Sequence, residues 1–395
     1  MTTERDRPVD EYQRVGSQVP GQSRLVLPGG RWSWSNPMMT RCRSLFDPLT
    51  AERLHVAFKR LLESAIHADA RQYMDAIFER MGDPDRSFVE EFQGPGFHSR
   101  LFELACFAYL EEAGCNIDRP RPSPDFIATK GTASVAIEAA TSNSPLGREE
   151  DIAARRLPDL PYQEILRKCN EELPIRMGSP LHSKIQKRYW HLPQCRGLPF
   201  VLVVGPFHEP GSTTYVDESL ARYLFGVERY GTWTERAGIL VREAPVGFHS
   251  FEGKVIPSNF FAGEDVENLS AIVWCNQFTI SRFLRIVAER KGLPRGLRAA
   301  MVTGWQARSD GDSAGRFEYH LGDQSVTRET WARGVTVFHN PNAVRPLPDA
   351  FLPCTSSFRV REGRLVRDVH GFHPLVESTF MSGTRRARIG SRKDG

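Results

Sequence analysis

Two acidic residues, Asp125 and Glu138, stand at positions from which neighbouring strands could present them together. Asp125 follows Pro124 at the start of one predicted strand, and Glu138 lies within the next predicted strand. Twelve residues separate the two acids, which is enough for two short strands joined by a tight turn. Mg²⁺ prefers oxygen ligands and is commonly held by one or two carboxylates together with waters and phosphate oxygens. The spacing therefore indicates chemistry at a divalent metal.

The strand around Glu138 is otherwise apolar. Alternation along a strand puts Val135 and Ile137 on one face, and Ala136, Glu138 and Ala140 on the other. Burying an unpaired carboxylate costs on the order of several kcal/mol. Glu138 therefore needs a partner, and a metal ion is one way to provide it.

Glu103 is a third acid in an apolar setting. Residues 101–110 contain this one charge among ten residues, and a helix that is apolar all round is a buried helix. Glu103 therefore also needs a partner. Two kinds remain open, namely an arginine such as Arg100, or a metal-bound water or substrate group.

The elements that must position these acids follow a definite order. The pattern predicts a core of helix, three-stranded meander, helix and strand within residues 97–210 of an α/β protein. The predicted elements are a helix over 97–113, strands over 115–118, 125–129 and 134–141, a helix over 181–189 with Pro180 at its start, and a buried strand over 200–205.

Further elements flank this core. Residues 48–96 form a predicted helical extension, with one helix over 54–81, and residues 211–381 form a mixed α/β extension. In the latter the pattern predicts strands over 237–241, 269–275, 299–303 and 334–338, a helix over 280–291 and a hairpin over 358–369. These strands are expected to extend the central sheet. Residues 1–47 are predicted to be an irregular, partly disordered arm.

Composition limits the class of protein. Hydrophobic residues make up 40% of the 395, and charged residues 25%, as in an ordinary globular chain. No run of 18 apolar residues predicts a membrane span, and the first residues lack the apolar segment of a secretory signal. The seven cysteines include no CxxC pair, which favours free thiols. A cytoplasmic protein with no membrane partner is expected.

Charge is balanced except at one end. The tail over 382–395 holds five cations and one acid, a net charge of +4 that equals the charge of the whole chain. Such a tail can contact phosphate or act as a solubilising end, and both interpretations stay open. The sequence contains no phosphate-binding glycine loop and no nucleophile elbow, and its 11 histidines lack the spacing of a zinc site.

A helix with Glu103, followed by Pro124-Asp125 and then by Glu138 on the next strand, resembles the PD-(D/E)XK nuclease superfamily. The resemblance spans residues 97–207, a little over a quarter of the chain. The stretches around Ser183-Lys184 and over 338–341 are similar to bacterial proteins of this nuclease-like type.

This resemblance implies a restriction-endonuclease-like core and a magnesium-dependent endonuclease. Asp125, Glu138 and the carbonyl of Ala139 would hold Mg²⁺ or Mn²⁺, and Glu103 would be an outer acid. The implied reaction is hydrolysis of phosphodiester bonds in nucleic acid, with DNA as the expected substrate and partner.

One position departs from the superfamily pattern. The lysine expected two residues after the glutamate is replaced by Ala140. Lys184, on the second predicted helix, is the best candidate to supply the missing positive charge, and Arg188 would share its face. The alternative is that this helix has a solvated basic face and that the core is catalytically degenerate, binding nucleic acid or scaffolding a complex. A third alternative is a different fold whose acids pair with arginines.

Overall fold

The computed structural model describes a chain built on mixed strands and helices. The described residues are 44–49, 54–84, 86–119, 121–144, 161–234, 238–309, 313–323 and 329–383, and all of them belong to one structural unit. Almost all of the predicted arm and of the basic tail lies outside these ranges. The six cysteines within them are free thiols, as expected.

Eight α-helices and fifteen strands are described. The helices are α1 Val56–Glu63, α2 Ala68–Met81, α3 Phe88–Gln93, α4 Phe97–Glu112, α5 Tyr162–Arg167, α6 Leu173–Gln186, α7 Asp217–Phe225 and α8 Ile280–Lys291. A π-helical turn over Lys168–Glu172 joins α5 to α6. The strands are β1 Asn116–Asp118, β2 Phe126–Lys130, β3 Ala133–Asn143, β4 Phe200–Phe207, β5 Val227–Thr234, β6 Gly238–Pro245, β7 Phe248–Phe251, β8 Lys254–Pro257, β9 Ala271–Trp274, β10 Leu297–Ala307, β11 Ala314–His320, β12 Thr336–His339, β13 Ser356–Arg361, β14 Arg364–Val369 and β15 His373–Gly383.

The largest sheet has eight strands in the order β1-β2-β3-β4-β9-β12-β13-β14. Strand β4 is parallel to both of its neighbours, and β12 is parallel to β13, whereas the remaining pairs are antiparallel. Three strands form a second sheet, β11-β10-β15, and the pairs β5-β6 and β7-β8 are hairpins. The predicted extension of the central sheet beyond residue 211 is confirmed for β9, β12, β13 and β14, which join it. It is wrong for the predicted strands over 237–241 and 299–303, because β6 pairs only with β5 and β10 belongs to the second sheet.

Helices cover both faces of the large sheet. Helix α4 packs with one set of alternating strand residues and α6 with the other. The predicted alternation in β3 is confirmed, since Val135 and Ile137 lie in the α4 layer and Ala136 and Ala140 in the α6 layer. All eight residues of β4 are buried, as expected for a strand covered on two faces.

The predicted start of the second core helix at residue 181 is wrong. Helix α6 begins at Leu173, and Pro180 lies inside it. Apolar residues recur every four positions through the proline, at Leu173, Met177, Leu181 and Ile185, and all four are buried in the α6 layer. Burial of this continuous stripe outweighs the cost of an interior proline, which is about 3 kcal/mol.

The predicted single helix over 54–81 is also wrong, because the chain breaks at Ser64 between α1 and α2. The guanidinium of Arg71 donates to the carbonyls of Leu61 and Ser64, at 2.7 Å each. These contacts satisfy carbonyl groups that the end of α1 leaves without helical partners. The helix over 280–291 is found at its predicted bounds.

A buried charged cluster attaches the second sheet to α8. Arg282 of α8 lies 3.0 Å from Glu329, and Arg333 lies 3.1 Å from Glu377 of β15. Arg285 also contacts Glu377, and all five side chains are buried. Each charge is paired, so the cluster avoids the penalty of an isolated buried ion. Its members come from separate elements, so no local sequence pattern predicts it.

Gly205 of β4 allows α4 to lie close to the sheet. A Cβ atom at this position would lie 2.5 Å from Phe102 Cε2, inside van der Waals contact. We expect Gly205→Ala to lower the free energy of unfolding by about 1–3 kcal/mol, because overpacking forces the helix or the ring to move. Urea denaturation measures the change. Gly247→Ala is the control, since nothing lies within 4 Å of its added Cβ. Equal unfolding midpoints for the two variants would contradict this account.

Candidate active site

The register of the β2–β3 hairpin sets the positions of the two acids predicted to hold a metal. Phe126 pairs with Ile137, so Asp125, immediately before β2, lies opposite Glu138. The Asp125 N–H donates to Glu138 Oε2 at 3.1 Å, and the Ala139 N–H donates to Asp125 Oδ2 at 2.7 Å. Each carboxylate thus accepts a hydrogen bond from a backbone N–H on the other side of the hairpin. No described residue donates a hydrogen bond to Asp125 Oδ1.

Lys184 approaches the same pair from α6. Its Nζ atom lies 2.5 Å from Glu138 Oε1, and its side chain is 22% exposed. It lines a cavity that Ala140 also lines. The structure therefore brings Asp125, Glu138 and Lys184 together, with the cation beside the position where the strand has an alanine. Arg188, expected on the same helical face, instead pairs with Asp265 at 2.6 Å.

Tyr189 is a site residue that the sequence analysis missed. Its hydroxyl donates to Glu138 Oε1 at 2.7 Å, so Glu138 accepts from Lys184, Tyr189 and the Asp125 backbone. Tyr189 follows a residue with positive φ, Arg188 at 47°, just after α6 ends. Helical spacing predicts the direction of a side chain only within a helix. Tyr189 lies beyond the end of α6, so its contact with Glu138 could not be predicted in this way.

Glu103 has arginine partners. Its two carboxylate oxygens lie 2.6 Å from Arg100 and 2.6 Å from Arg119. Of the two alternatives, the arginine partner is therefore present, and Arg119 adds a second that the sequence analysis did not consider. Arg100 is shared with Glu91 at 2.5 Å. Glu103 lines the same cavity as Asp125, and its negative charge contributes to raising the pKa of the Asp125 carboxyl.

The cavity beside this cluster has a volume of about 310 Å³, and the acids that line it are Glu91, Glu103 and Asp125. Besides the acids and Lys184, its polar lining comes from α4, β3 and α6, through Ser99, Arg100, Thr141, Asn143 and Ser183. Ala139 lines it as well, next to Asp125. A space of this kind, with charged groups of both signs at one wall, suits a polar ligand.

Electrostatics make this wall unfavourable for negative charge. The pKa of Asp125 is raised well above its usual value, chiefly because the carboxyl is withdrawn from bulk water, and further because Glu103 and Glu138 lie nearby. The pKa of Tyr189 is raised by burial and by its contact with Glu138. A divalent cation would relieve this repulsion, so the donor set fits a magnesium or manganese ion held by oxygen atoms.

A second acidic cluster lies where β4 ends. His208 and Glu209 follow this strand, and Glu172 is the last residue of the π-helical turn before α6. Ligand atoms of Glu172, His208 and Glu209 lie within 4.8 Å of one another. Lys168 Nζ already lies 2.7 Å from Glu172 and 2.9 Å from Glu209, and Arg176 lies 3.3 Å from Glu172, so two cations balance the two acids. Burial lowers the pKa of His208 to about 4, and its Nδ1 atom is 3.0 Å from the Ser142 hydroxyl. We interpret this cluster as a structural ion pair beside a neutral histidine.

Comparisons with known proteins return no relatives: no family model, no curated protein and no solved structure matches this chain. Across the described ranges, no helix combines the length and the apolar character needed to cross a membrane.

The raised pKa of Asp125 predicts an effect on stability. Between the ordinary carboxyl pKa and the raised one, the folded protein binds a proton that the unfolded chain has released. Stability is therefore lost as the pH rises through this window, and the penalty is complete above it. We expect Asp125→Asn, without divalent metal, to be more stable than the parent near neutral pH by about 1 kcal/mol.

Thermal melting across a pH series measures this difference, which should shrink as the pH falls towards the ordinary carboxyl range. Asp118→Asn removes an exposed carboxylate from β1 and serves as the control. A less stable Asp125→Asn protein at neutral pH would show that the charge of Asp125 is compensated in the folded state.

Proposed function

We propose that this chain hydrolyses phosphodiester bonds of nucleic acid, with DNA as the substrate, using Mg²⁺ or Mn²⁺ bound by Asp125 and Glu138. The observation that carries the proposal is the placement of these two acids at opposed positions of one hairpin, with Lys184 on Glu138. Only such convergence lets two carboxylates share one ion, because metal–oxygen distances are about 2.0–2.6 Å.

The order of elements supports the same proposal. Helix α4 precedes the antiparallel strands β1, β2 and β3, and α6 then leads into β4, which lies parallel to β3. This order accords with a restriction-endonuclease-like core of the PD-(D/E)XK type. The likeness lies in the order of the elements and in the motif residues.

Each residue of the site has a task in this proposal. Asp125, Glu138 and the carbonyl of Ala139 would hold the metal, which supplies Lewis-acid stabilisation and an activated water when bound. Tyr189 and Lys184 orient the carboxylate of Glu138. Glu103 would act as an outer acid, held by its two arginines.

Lys184 would also act on the substrate. An ammonium group fixed beside the cavity stabilises negative charge that grows on the phosphoryl oxygens, and in a partly enclosed site this effect is larger than in water. The residue thereby takes the role that the superfamily pattern gives to the lysine missing at Ala140.

A second candidate function is a catalytically degenerate module that binds nucleic acid or scaffolds a complex. The same ion pair favours it, because Lys184 neutralises Glu138 at 2.5 Å without any metal. In this alternative the ammonium replaces the ion, and the cavity keeps only its capacity to bind phosphate.

Glu138→Gln tests the choice between the two. We expect cleavage of DNA with Mg²⁺ or Mn²⁺ to fall by about 100-fold or more, because losing a metal ligand removes several kcal/mol of transition-state stabilisation. Glu63→Gln changes an exposed glutamate at the end of α1 and is the matched control. Calorimetric titration of the metal runs in parallel. A parent protein that binds DNA but neither Mg²⁺ nor Mn²⁺ would favour the degenerate module.

Lys184→Gln separates the electrostatic task of Lys184 from metal binding. We expect the rate to fall by about 100-fold, a usual cost of removing one group that stabilises transition-state charge. Metal affinity should be kept or increased, since the ammonium no longer competes for Glu138. Lys59→Gln, which changes an exposed lysine of α1, is the control. An unchanged cleavage rate would exclude Lys184 from catalysis.

A further inference from the structure

A second polar cavity adjoins the candidate active site. It has a volume of about 450 Å³, and it shares Thr141, Asn143, Pro180 and Ser183 with the first cavity. Shared walls on β3 and α6 make the two spaces one continuous groove. The groove runs along the end of β3 and the start of α6, away from Asp125 and Glu138.

The two parts of this groove differ in charge. The first part is lined by three acids and two cations. They are Glu91, Glu103, Asp125, Arg100 and Lys184. The second part is lined by two cations, Arg176 and Lys254, and by no acid among the described residues. One end of the groove thus favours a metal cation, and the other favours an anion.

The two cations of the second part are available to a ligand. Lys254 lies exposed at the start of β8 and forms no ion pair with any described residue. Arg176 lies 3.3 Å from Glu172 and 3.6 Å from Glu252, a pair of long contacts of which the second is to a 70% exposed side chain. Glu172 is buried, so Arg176 keeps that pair, whereas the contact with the exposed Glu252 contributes little stability and can be exchanged for a phosphate.

The spacing along α6 fits a nucleic-acid strand. Arg176 and Lys184 are eight residues apart on this helix, so the helical rise separates them by about 12 Å. One DNA strand carries a phosphate about every 3.4 Å along the helix axis. A strand with its scissile phosphate beside Lys184 therefore has further phosphates within reach of Arg176.

We propose that the cavity lined by Arg176 and Lys254 is a phosphate subsite that binds the backbone of a nucleic-acid strand next to the bond being cleaved. This inference rests on the proposed function and specifies its substrate, which is a strand of several nucleotides and not a small diester. The exposed hydroxyls of Ser179 and Ser183 add neutral donors to the same wall.

Such a subsite binds without reading sequence. Its charged and hydroxyl groups are donors that suit phosphate oxygens, and phosphate contacts fix the register of a strand without selecting its bases. Affinity supplied in this way depends on salt, because each neutralised phosphate releases a counterion.

The double variant R176Q/K254Q tests the subsite. The two readouts are kcat/KM for a 20-nucleotide DNA and kcat/KM for bis(p-nitrophenyl) phosphate, a diester too small to span the groove. We expect kcat/KM for the oligonucleotide to fall by about tenfold or more, with the small diester unchanged. The salt slope of oligonucleotide binding should shrink by about one for each phosphate that the variant no longer neutralises. Lys291→Gln, an exposed lysine at the end of α8, is the control.

The outcomes separate the subsite from the proposed function. Equal losses on both substrates, or no loss on either, would overturn the subsite while leaving the nuclease proposal standing. A parent protein that cleaves neither substrate would overturn the nuclease proposal instead. The salt slope of oligonucleotide binding, measured in the Glu138→Gln background, then decides the subsite alone: a slope that R176Q/K254Q leaves unchanged overturns it, and a smaller slope supports it. Thermal melting verifies that the double variant folds.

Discussion

The site depends on one constraint, the register of β2 against β3. The hairpin turns within two residues, and Gly131 at its start takes a φ of 60°, which is accessible to glycine at little cost. This turn fixes which residues of the two strands face each other. A slip of one residue would send Glu138 to the opposite face of the sheet, away from Asp125 and Lys184. The two-residue turn therefore fixes which face of the sheet Glu138 occupies and that it lies opposite Asp125.

The second layer of the site depends on the continuity of α6. Because α6 continues through Pro180, Arg176 and Lys184 lie on the same helix. The buried apolar residues of α6 pack this helix against the sheet, so packing sets the position of Lys184 together with its attraction to Glu138. A charged side chain positioned in this way loses little conformational freedom when it forms an ion pair.

Local patterns predicted the acids and most elements of the core, whereas long-range contacts escaped prediction. The pairing of Asp125 with Glu138 is predictable because strand spacing and alternation are visible in short windows, whereas Lys184 follows only from the resemblance to the nuclease superfamily. Tyr189 and Arg119 were not predicted, because each meets its carboxylate through the tertiary fold. The extent of α6 was missed because a proline was given more weight than the apolar spacing on both sides of it.

The strand order of the large sheet also leaves two edges, β1 and β14, each a row of backbone groups that another chain could pair with. Strand β1 has only three residues, and Asn116 and Asp118 are exposed on it. Strand β14 carries Arg364 at its exposed start, and the N–H of its next residue, Leu365, is capped by Glu243 at 2.9 Å. Short, charged or capped edges are poor templates for edge-to-edge pairing. A large sheet is thus protected from aggregation by the residues at its two borders.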